Sequence, residues 1–195
     1  LHTAYRRQRQ MCIRDSYIYA RETLGIGQTY NSQVHHSATG SGTFEHLTAG
    51  PTTLLDPTGE GTVGSAVKDS AIVAAARAAG IPVETVPQLV AIAGDSNSKA
   101  QTEAKTILRE RAVVLGEAVS SLVGLFNPTR VVLGGQAFTD YPDTLNLIAS
   151  LIHQNSTDVD IRVTAARGRV QQQAAAAVAI TAVAYDPLHA VEGAR

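Results

Sequence analysis

Residues 125–135 constrain the fold more than any other part of this sequence. Asn127-Pro128 stops a helix, because proline disfavours a helical conformation in the residue before it. After Thr129, the four residues from Arg130 to Leu133 are nearly all apolar, which is typical of a strand buried on both faces of a parallel or mixed sheet. Gly134-Gly135 then ends the strand. This order of helix, buried strand and glycine turn predicts an α/β fold.

The flanking segments extend the same alternation. A broad apolar stripe predicts a long, largely buried helix that is capped by Ser96 or Asn97 and runs to about Phe126. An Ala-rich pattern predicts a helix from Ser65 that ends before Gly80. The other predicted elements are a short helix capped at 85 and running through 90, helices over about 141–153 and 170–185, and a strand over 158–165.

The amino-terminal part is strand-like. Aromatic and β-branched residues predict a strand over 17–24 that ends in a tight turn at Gly25-Ile26-Gly27. A second strand-like alternation over 28–35 makes a hairpin or a pair of adjacent strands, and the glycines of 37–51 indicate an irregular loop.

Composition excludes several classes of protein. With 195 residues and 44% hydrophobic content, the chain can bury one substantial core. The net charge of -1 gives no field that would attract nucleic acid to this part of the molecule. No apolar run reaches the roughly 20 residues of a membrane span. The single cysteine, Cys12, excludes a disulfide framework and suits the cytoplasm.

Residues 1–16 differ abruptly from the rest of the chain. They hold four arginines together with the only cysteine and the only methionine. The string from Arg6 to Ser16 resembles a translated sequencing adapter, so we interpret 1–16 as a non-native segment and 17–195 as the native part. The alternative is a basic arm that binds nucleic acid.

Three glycine sites are candidates for close contact with a phosphate or nucleotide: Gly25 and Gly27, the pair Gly40 and Gly42, and Gly134-Gly135. Glycine permits positive φ and close approach of the backbone. Each site alone is also explained by a plain turn. Neither a Walker motif nor a complete Gly-x-Gly-x-x-Gly is present.

The order of three blocks resembles the latter half of a ROK (repressor, open reading frame, kinase) protein. These blocks are residues 23–27, residues 42–47 (Gly-Thr-Phe-Glu-His-Leu) and residues 125–135 with Asn-Pro, the apolar strand and Gly-Gly. The resemblance covers about 17–185 and implies an actin-like sugar kinase fold, of which this chain holds the end of the first lobe and the second lobe. In kinase members the paired glycines border the adenosine pocket, so Gly134 and Gly135 would take that place.

The resemblance also implies a sugar site at Gly42, Glu45 and His46. Family members resemble Gly-Glu-x-Gly-His here. Gly42 and His46 are kept, but Thr43 stands where the glutamate should be, and Glu45 is the one nearby carboxylate that could replace it. Because carboxylates are the strong acceptors for sugar hydroxyls, we expect weakened affinity for an ordinary hexose. The resemblance implies a sugar or sugar-derived effector.

A structural zinc site is predicted to be lost. In family members the histidine and three cysteines of a following segment hold zinc, and a glutamate of that segment binds sugar. Counting without gaps places Asp56, Thr58 and Val63 at the cysteine positions and Ser65 at the glutamate position. Zinc needs about four ligands of thiolate, imidazole or carboxylate type, so His46 with Asp56 cannot close the site. We predict no metal.

The implied nucleotide site is degenerate. Gly25 and Gly27 remain of the second phosphate loop, while Thr23 replaces a glycine and Leu24 replaces the threonine that contacts phosphate. Leucine cannot donate that hydrogen bond. The catalytic base of kinase members, an aspartate, would lie before residue 17. We therefore predict that this chain has no enzymatic activity of its own and no cofactor.

Three functions remain open. The first is the effector-binding and oligomerising part of a ROK transcription regulator, which binds DNA through a missing amino-terminal domain. The second is a fragment of an ATP-dependent sugar kinase, with Glu45 as the replacement acceptor. The third is a structural paralogue that forms a homo-oligomer through the long helix and binds no sugar.

Overall fold

A computed structural model describes residues 14–31, 33–35, 42–156 and 158–164. The described elements, in chain order, are β1 (Arg14–Ala20), β2 (Leu24–Tyr30), β3 (Gln33–His35), β4 (Gly42–Thr43), α1 (Val63–Val67), α2 (Asp69–Ala78), α3 (Val86–Gly94), α4 (Gln101–Phe126), β5 (Arg130–Gly134), α5 (Gln136–Thr139), a 3-10 turn (Pro142–Thr144), α6 (Leu145–Asn155) and β6 (Asp160–Val163). The α/β class predicted from the sequence is confirmed.

The strands form one mixed sheet in the order β3-β2-β1-β5-β6, with β4 also paired to β2. β1 is antiparallel to β2 and parallel to β5, and β5 is parallel to β6. The predicted interior strand is therefore correct: Val131 and Leu133 of β5 are fully buried between two neighbouring strands. Its carboxyl end, at Gly134, lies beside the end of β1.

The predicted hairpin is confirmed, but its turn is not where glycine suggested. β1 ends at Ala20 and the turn comprises Arg21 to Thr23, so Gly25 and Gly27 lie inside β2, opposite Tyr19 and Tyr17. Glycine in a strand weakens it but does not end it. β1 also begins at Arg14, three residues before the predicted start, and Ser16 is buried. The adapter interpretation of residues 1–16 stays a prediction, and residues 1–13 lie outside the described part.

The helices follow the predicted pattern with shifted boundaries. The first predicted helix is two, α1 and α2, because Lys68 between them has an extended ψ of 150°. The long helix begins at Gln101 rather than near Asn97. Its end at Phe126 is as predicted, with Asn127 in the left-handed conformation at φ 45° and Pro128 behind it. Thr85 caps α3 through a capping box with Gln88, as predicted for a short helix at this point.

The carboxy-terminal elements are shorter than predicted. α6 begins at Leu145, after the short α5 and the 3-10 turn, and β6 covers only Asp160–Val163. The helix predicted over about 170–185 lies outside the described residues. α4 is the centre of the helical packing, because it contacts α6, α3, α1 and α2. The short α5 instead contacts β5 and β1.

Candidate functional site

Glu45 and His46 lie in a turn directly after β4, next to the buried ring of Phe44. The Glu45 carboxylate is 2.6 Å from Lys68 Nζ and 3.4 Å from His46 Nε2. The side chain of His46 is 83% exposed, whereas that of Glu45 is 29% exposed. The turn therefore presents a fixed carboxylate beside an exposed imidazole, a pair that can accept hydrogen bonds from a hydroxylated ligand and donate them to it.

Lys68 fixes the charge of Glu45. The hydrogen bond and the positive charge of Lys68 hold the pKa of the Glu45 carboxyl below its ordinary value, burial opposes them weakly, and His46 adds to the lowering. Glu45 is therefore an acceptor at neutral pH. A ligand hydroxyl that binds it shares the carboxylate with Lys68, which lies between α1 and α2.

Gly42, the third predicted effector residue, has a structural reason to be glycine. It pairs with Ile26 across β4 and β2, and a Cβ at Gly42 would lie 2.9 Å from Ile26 Cγ2. The chain thus places Gly42, Glu45 and His46 in one segment. The role of these residues in binding a ligand stays a prediction.

Two of the four predicted nucleotide glycines, Gly134 and Gly135, lie beside the end of β1. Gly135 has a φ of 98°, and a Cβ there would clash with the carbonyl oxygen of Ala20. Gly134 pairs with Tyr19. The Arg21–Thr23 turn follows directly, so the glycine pair after β5 and the turn after β1 are neighbours in space. Gly25 and Gly27 lie further along β2, within the sheet.

Charged side chains of this turn, which the glycine motifs did not point to, bind helix α2. The Glu22 carboxylate accepts hydrogen bonds from the Ser70 amide at 2.9 Å and the Ser70 hydroxyl at 2.7 Å. Arg21 Nε lies 3.3 Å from Asp69 Oδ2. A carboxylate at a helix amino terminus is favoured by the helix dipole and by the free amides there. Two neighbouring residues thus fasten the turn to the start of α2.

A buried arginine completes this contact from the other side. Arg111 of α4 is 3% exposed; its Nε donates to the Val67 carbonyl at 2.9 Å and a terminal nitrogen lies 2.6 Å from Asp69 Oδ1. Burial lowers the pKa of Arg111, and the charge of Asp69 opposes this. Asp69 therefore joins a surface arginine to a buried one, and the β1–β2 turn, α2 and α4 share one ionic cluster. The sequence offers only Arg111, a charge within an apolar stripe, as a signal of it.

A cavity of about 330 Å³ lies between the segment after His46 and helix α4. Leu47, Thr48 and Gly50 line one wall, and Val114, Glu117 and Ser121 lie on the other. It combines an apolar floor with two hydroxyls and a carboxylate. Such a lining suits a small polar ligand.

In the part of the chain that the structure describes, no helix combines the length and hydropathy that crossing a bilayer requires.

Comparison with known proteins gives relatives in sequence and in fold. No family model matches the chain. Transcriptional regulators of Mycobacterium tuberculosis and Mycobacterium bovis are each 38% identical over 189 residues, which covers 90% of this chain. The chain spans 42% of the length of these curated relatives.

Among solved structures, a ROK family transcriptional regulator described as a homologue of the Escherichia coli MLC protein matches with a TM-score of 0.60 and 20% identity, over 80% of this chain and 43% of that one. A ROK hexokinase from Thermus thermophilus matches with a TM-score of 0.65 and 21% identity, over 81% and 54%. The chain has the ROK fold. The resemblance to ROK proteins and the incomplete actin-like architecture predicted from the sequence are thereby confirmed.

The structural zinc that the ROK resemblance implies does not fit the residues present. Of the three positions counted for the cysteines, Val63 is 1% exposed in the core, Thr58 is a hydroxyl, and the Asp56 carboxylate already accepts hydrogen bonds from its own loop. His46 is the fourth ligand that the resemblance implies. Among the described residues, no three His, Cys, Asp or Glu side chains are grouped to hold a metal ion. These side chains supply neither the number nor the type of ligand that a structural zinc needs.

Proposed function

We propose that this chain is the effector-binding part of a ROK transcription regulator, that its ligand is a sugar or sugar-derived molecule, and that DNA is bound by a part of the protein outside this chain. The observation that carries the proposal is the 38% identity with transcriptional regulators over 90% of the chain. Ligand binding would shift the populations of two states with different affinity for DNA. The proposed setting is the cytoplasm, and the proposed assembly is a homo-oligomer.

The effector is proposed to bind at Glu45 and His46, in the segment that follows Gly42. A carboxylate kept ionised by Lys68 is a strong acceptor for a hydroxyl, and the exposed imidazole offers a second polar group 3.4 Å away. The neighbouring cavity of about 330 Å³ is large enough for a monosaccharide. Glu45 at the turn and Glu117 in the cavity are two carboxylates that a ligand with hydroxyls or an amine can satisfy.

The β1–β2 turn supports a regulator rather than a phosphotransferase. By the ROK resemblance this turn lies where kinase members hold nucleotide phosphates. Here the charged groups at the turn are already paired: Asp69 is bound by Arg21 and Arg111, and Glu22 occupies the Ser70 amide at the start of α2. Leu24 is 3% exposed and its side chain has no donor. We therefore propose that the protein binds no nucleotide, needs no cofactor and is not an enzyme.

A sugar kinase is the second candidate, and the likeness to the ROK hexokinase, at a TM-score of 0.65, is the observation that favours it. It requires Glu45 to replace the sugar-binding glutamate and a catalytic base from outside this chain. Turnover of ATP is the property that separates this candidate from a regulator.

Titration of the full-length protein tests the proposal. Hexoses and amino sugars are titrated by calorimetry, and binding to DNA from upstream of its own gene is followed by fluorescence anisotropy with and without each sugar. We expect one sugar class to change DNA affinity, and ATP to remain intact with all of them. Sugar-dependent release of ADP would overturn the proposal.

Variants at the turn locate the site. Glu45→Gln and His46→Ala each remove a polar partner of the ligand, so we expect effector affinity to fall by about tenfold or more, as for loss of a charge-assisted hydrogen bond. Glu60→Gln, an exposed carboxylate of the neighbouring loop, is the matched control and should bind like the unaltered protein. If all three variants bound the effector with the affinity of the unaltered protein, the effector would bind elsewhere.

A further inference from the structure

The loop over 52–61 is closed around the carboxylate of Asp56. Its two oxygens accept hydrogen bonds from the Gly61 amide at 2.6 Å, the Glu60 amide at 3.2 Å and the Thr58 hydroxyl at 2.9 Å. Asp56 itself adopts the left-handed conformation, with φ at 54°, which aspartate tolerates better than most residues. The Asp56 side chain thus connects the start of a tight turn to its end by hydrogen bonds.

A second carboxylate holds the start of the same loop from helix α4. Glu110 accepts hydrogen bonds from three consecutive backbone amides: Leu54 at 2.9 Å, Thr53 at 3.1 Å and Leu55 at 3.3 Å. Successive amides that converge on one point form an anion-binding concavity. Here a side chain of the protein fills that concavity, so the loop is fastened to the central helix.

The loop, in turn, sets the place of Glu45 and His46. The Ala49 amide donates to the Gly61 carbonyl at 2.9 Å, the Val63 amide to the Leu47 carbonyl at 2.8 Å, and the Gly64 amide to the Glu45 carbonyl at 2.9 Å. Residues 45–49 therefore pair, bond by bond, with residues 61–64, which directly follow the turn that Asp56 closes. Displacement of that turn would displace the Glu45 carboxylate.

We propose that Asp56 and Glu110 close this loop by hydrogen bonds in place of a metal ion, and that they are positioning residues for Glu45 and His46. The positions that would carry metal ligands hold Asp56, Thr58 and Val63. Asp56 and Thr58 belong to the hydrogen-bonded turn and Val63 belongs to the core, so no cation is needed to bring them together. The closure of the loop by Asp56 and Glu110 does not depend on the proposed function. The role of Glu45 and His46 as effector-binding residues does rest on the proposed function.

The unaltered full-length protein tests the metal-free closure. Hydrogen exchange of the amides over 45–64 is measured by mass spectrometry after EDTA treatment and again with added zinc. Because carboxylates and hydroxyls already close the loop, we expect the exchange rates to agree within twofold in both conditions. Slower exchange with zinc, or faster exchange with EDTA, would overturn the proposal.

Asp56→Asn and Glu110→Gln test the positioning. Each leaves the shape of the side chain but removes the charge and half of its acceptors, so we expect exchange over 45–49 and 61–64 to accelerate by about tenfold, as for loss of one charged hydrogen bond. Exchange in the middle of α4 and in β5 should not change. Glu60→Gln, in the same turn, and Glu103→Gln, on the same helix, are the matched controls. Should Asp56→Asn fail to fold, Thr58→Val removes one donor to the same carboxylate.

A pH profile separates positioning from a general loss of stability. Burial would raise the pKa of Asp56, but hydrogen bonds from Gly61, Thr58, Ser65 and Glu60 outweigh it and hold the pKa below its ordinary value. The contribution of ionised Asp56 to loop stability is therefore fully present above its unfolded-state pKa of about 3.9. It is lost as the pH falls through the lower pKa of the folded state. After correction for intrinsic exchange rates, protection of 45–49 should fall below about pH 4 in the unaltered protein, and Asp56→Asn should lack this step. Equal acid profiles, or faster exchange spread evenly over α4 and β5, would overturn the proposal.

Discussion

Two regions of this chain are held together by different forces. The sheet and its helices are held by apolar contact: Val131 and Leu133 of β5 are fully buried, and α4 rests on α6 where Gly116 faces Leu151. The 44–64 segment, which bears the candidate site, contributes Phe44, Leu55 and Val63 to the same core, but its loop is closed by carboxylates that accept backbone hydrogen bonds. The difference shows how one fold can keep its core while its binding loop changes, because Asp56 and Glu110 add contacts to the loop that the sheet does not share.

Gly135→Ala tests the core at its most sensitive point. The substitution forces a side chain into positive φ at 98° and against the Ala20 carbonyl, so we expect a loss of about 3 kcal/mol or more in the free energy of unfolding. Urea denaturation measures it. Gly124→Ala on α4 is the control: nothing lies within 4 Å of its Cβ, so helix propensity should stabilise it by about 0.5–1 kcal/mol. Equal stability of Gly135→Ala and the unaltered protein would contradict the described approach of β5 and β1.

Arg111→Met tests the ionic cluster that joins the β1–β2 turn, α2 and α4. The substitution keeps the volume but leaves Asp69 without its buried partner and the Val67 carbonyl without its donor, so we expect a loss of about 2–3 kcal/mol, moderated because Asp69 is 24% exposed. Arg109→Met, on the exposed face of the same helix, should change stability by less than about 0.5 kcal/mol. Thermal unfolding of both variants measures the difference. Equal losses of stability in Arg111→Met and Arg109→Met would mean that the ionic cluster adds no stability.

The core was predictable from the sequence because it depends on local patterns along the chain. The site was predictable only in part because it depends on contacts between residues far apart in sequence. Apolar periodicity predicts α4 and β5, and Asn127-Pro128 predicts the end of the helix, because burial and proline sterics act locally along the chain. Gly25 and Gly27 misled the prediction of the turn, since glycine is tolerated within β2. The contacts of Glu22 with Ser70 and of Glu110 with Leu54 join residues 48 and 56 positions apart. No periodicity reveals such pairs, and only the ROK resemblance pointed to Glu45 and His46.

Gly116→Ala tests the packing of α4 on α6. A Cβ at Gly116 would lie 2.6 Å from Leu151 Cδ1 and 3.1 Å from its Cβ, so the helices must separate or Leu151 must change rotamer. We expect a loss of about 1–2 kcal/mol. A double-mutant cycle with Leu151→Ala should be non-additive, because the smaller side chain relieves the clash. Strict additivity in urea denaturation would contradict this contact.

Asp160→Asn is expected to have the smallest effect, and it sharpens the contrast between the regions. Hydrogen bonds from Arg130 and Arg162 lower the pKa of Asp160, just as hydrogen bonds outweigh burial to lower that of Asp56. Both carboxylates therefore contribute above the unfolded value of about 3.9, and both contributions fade as pH falls through the lower folded value. The Asp160 side chain, however, is 38% exposed, so water screens its charge. It lies on the last strand of a sheet that buried apolar side chains already stabilise. We expect its substitution to leave the melting temperature at pH 7 nearly unchanged and to flatten the acid limb only slightly, whereas Asp56→Asn opens its own loop. If Asp160→Asn loosened β5 and β6 in hydrogen exchange as strongly as Asp56→Asn loosens 45–49, polar contacts would be holding the sheet as well.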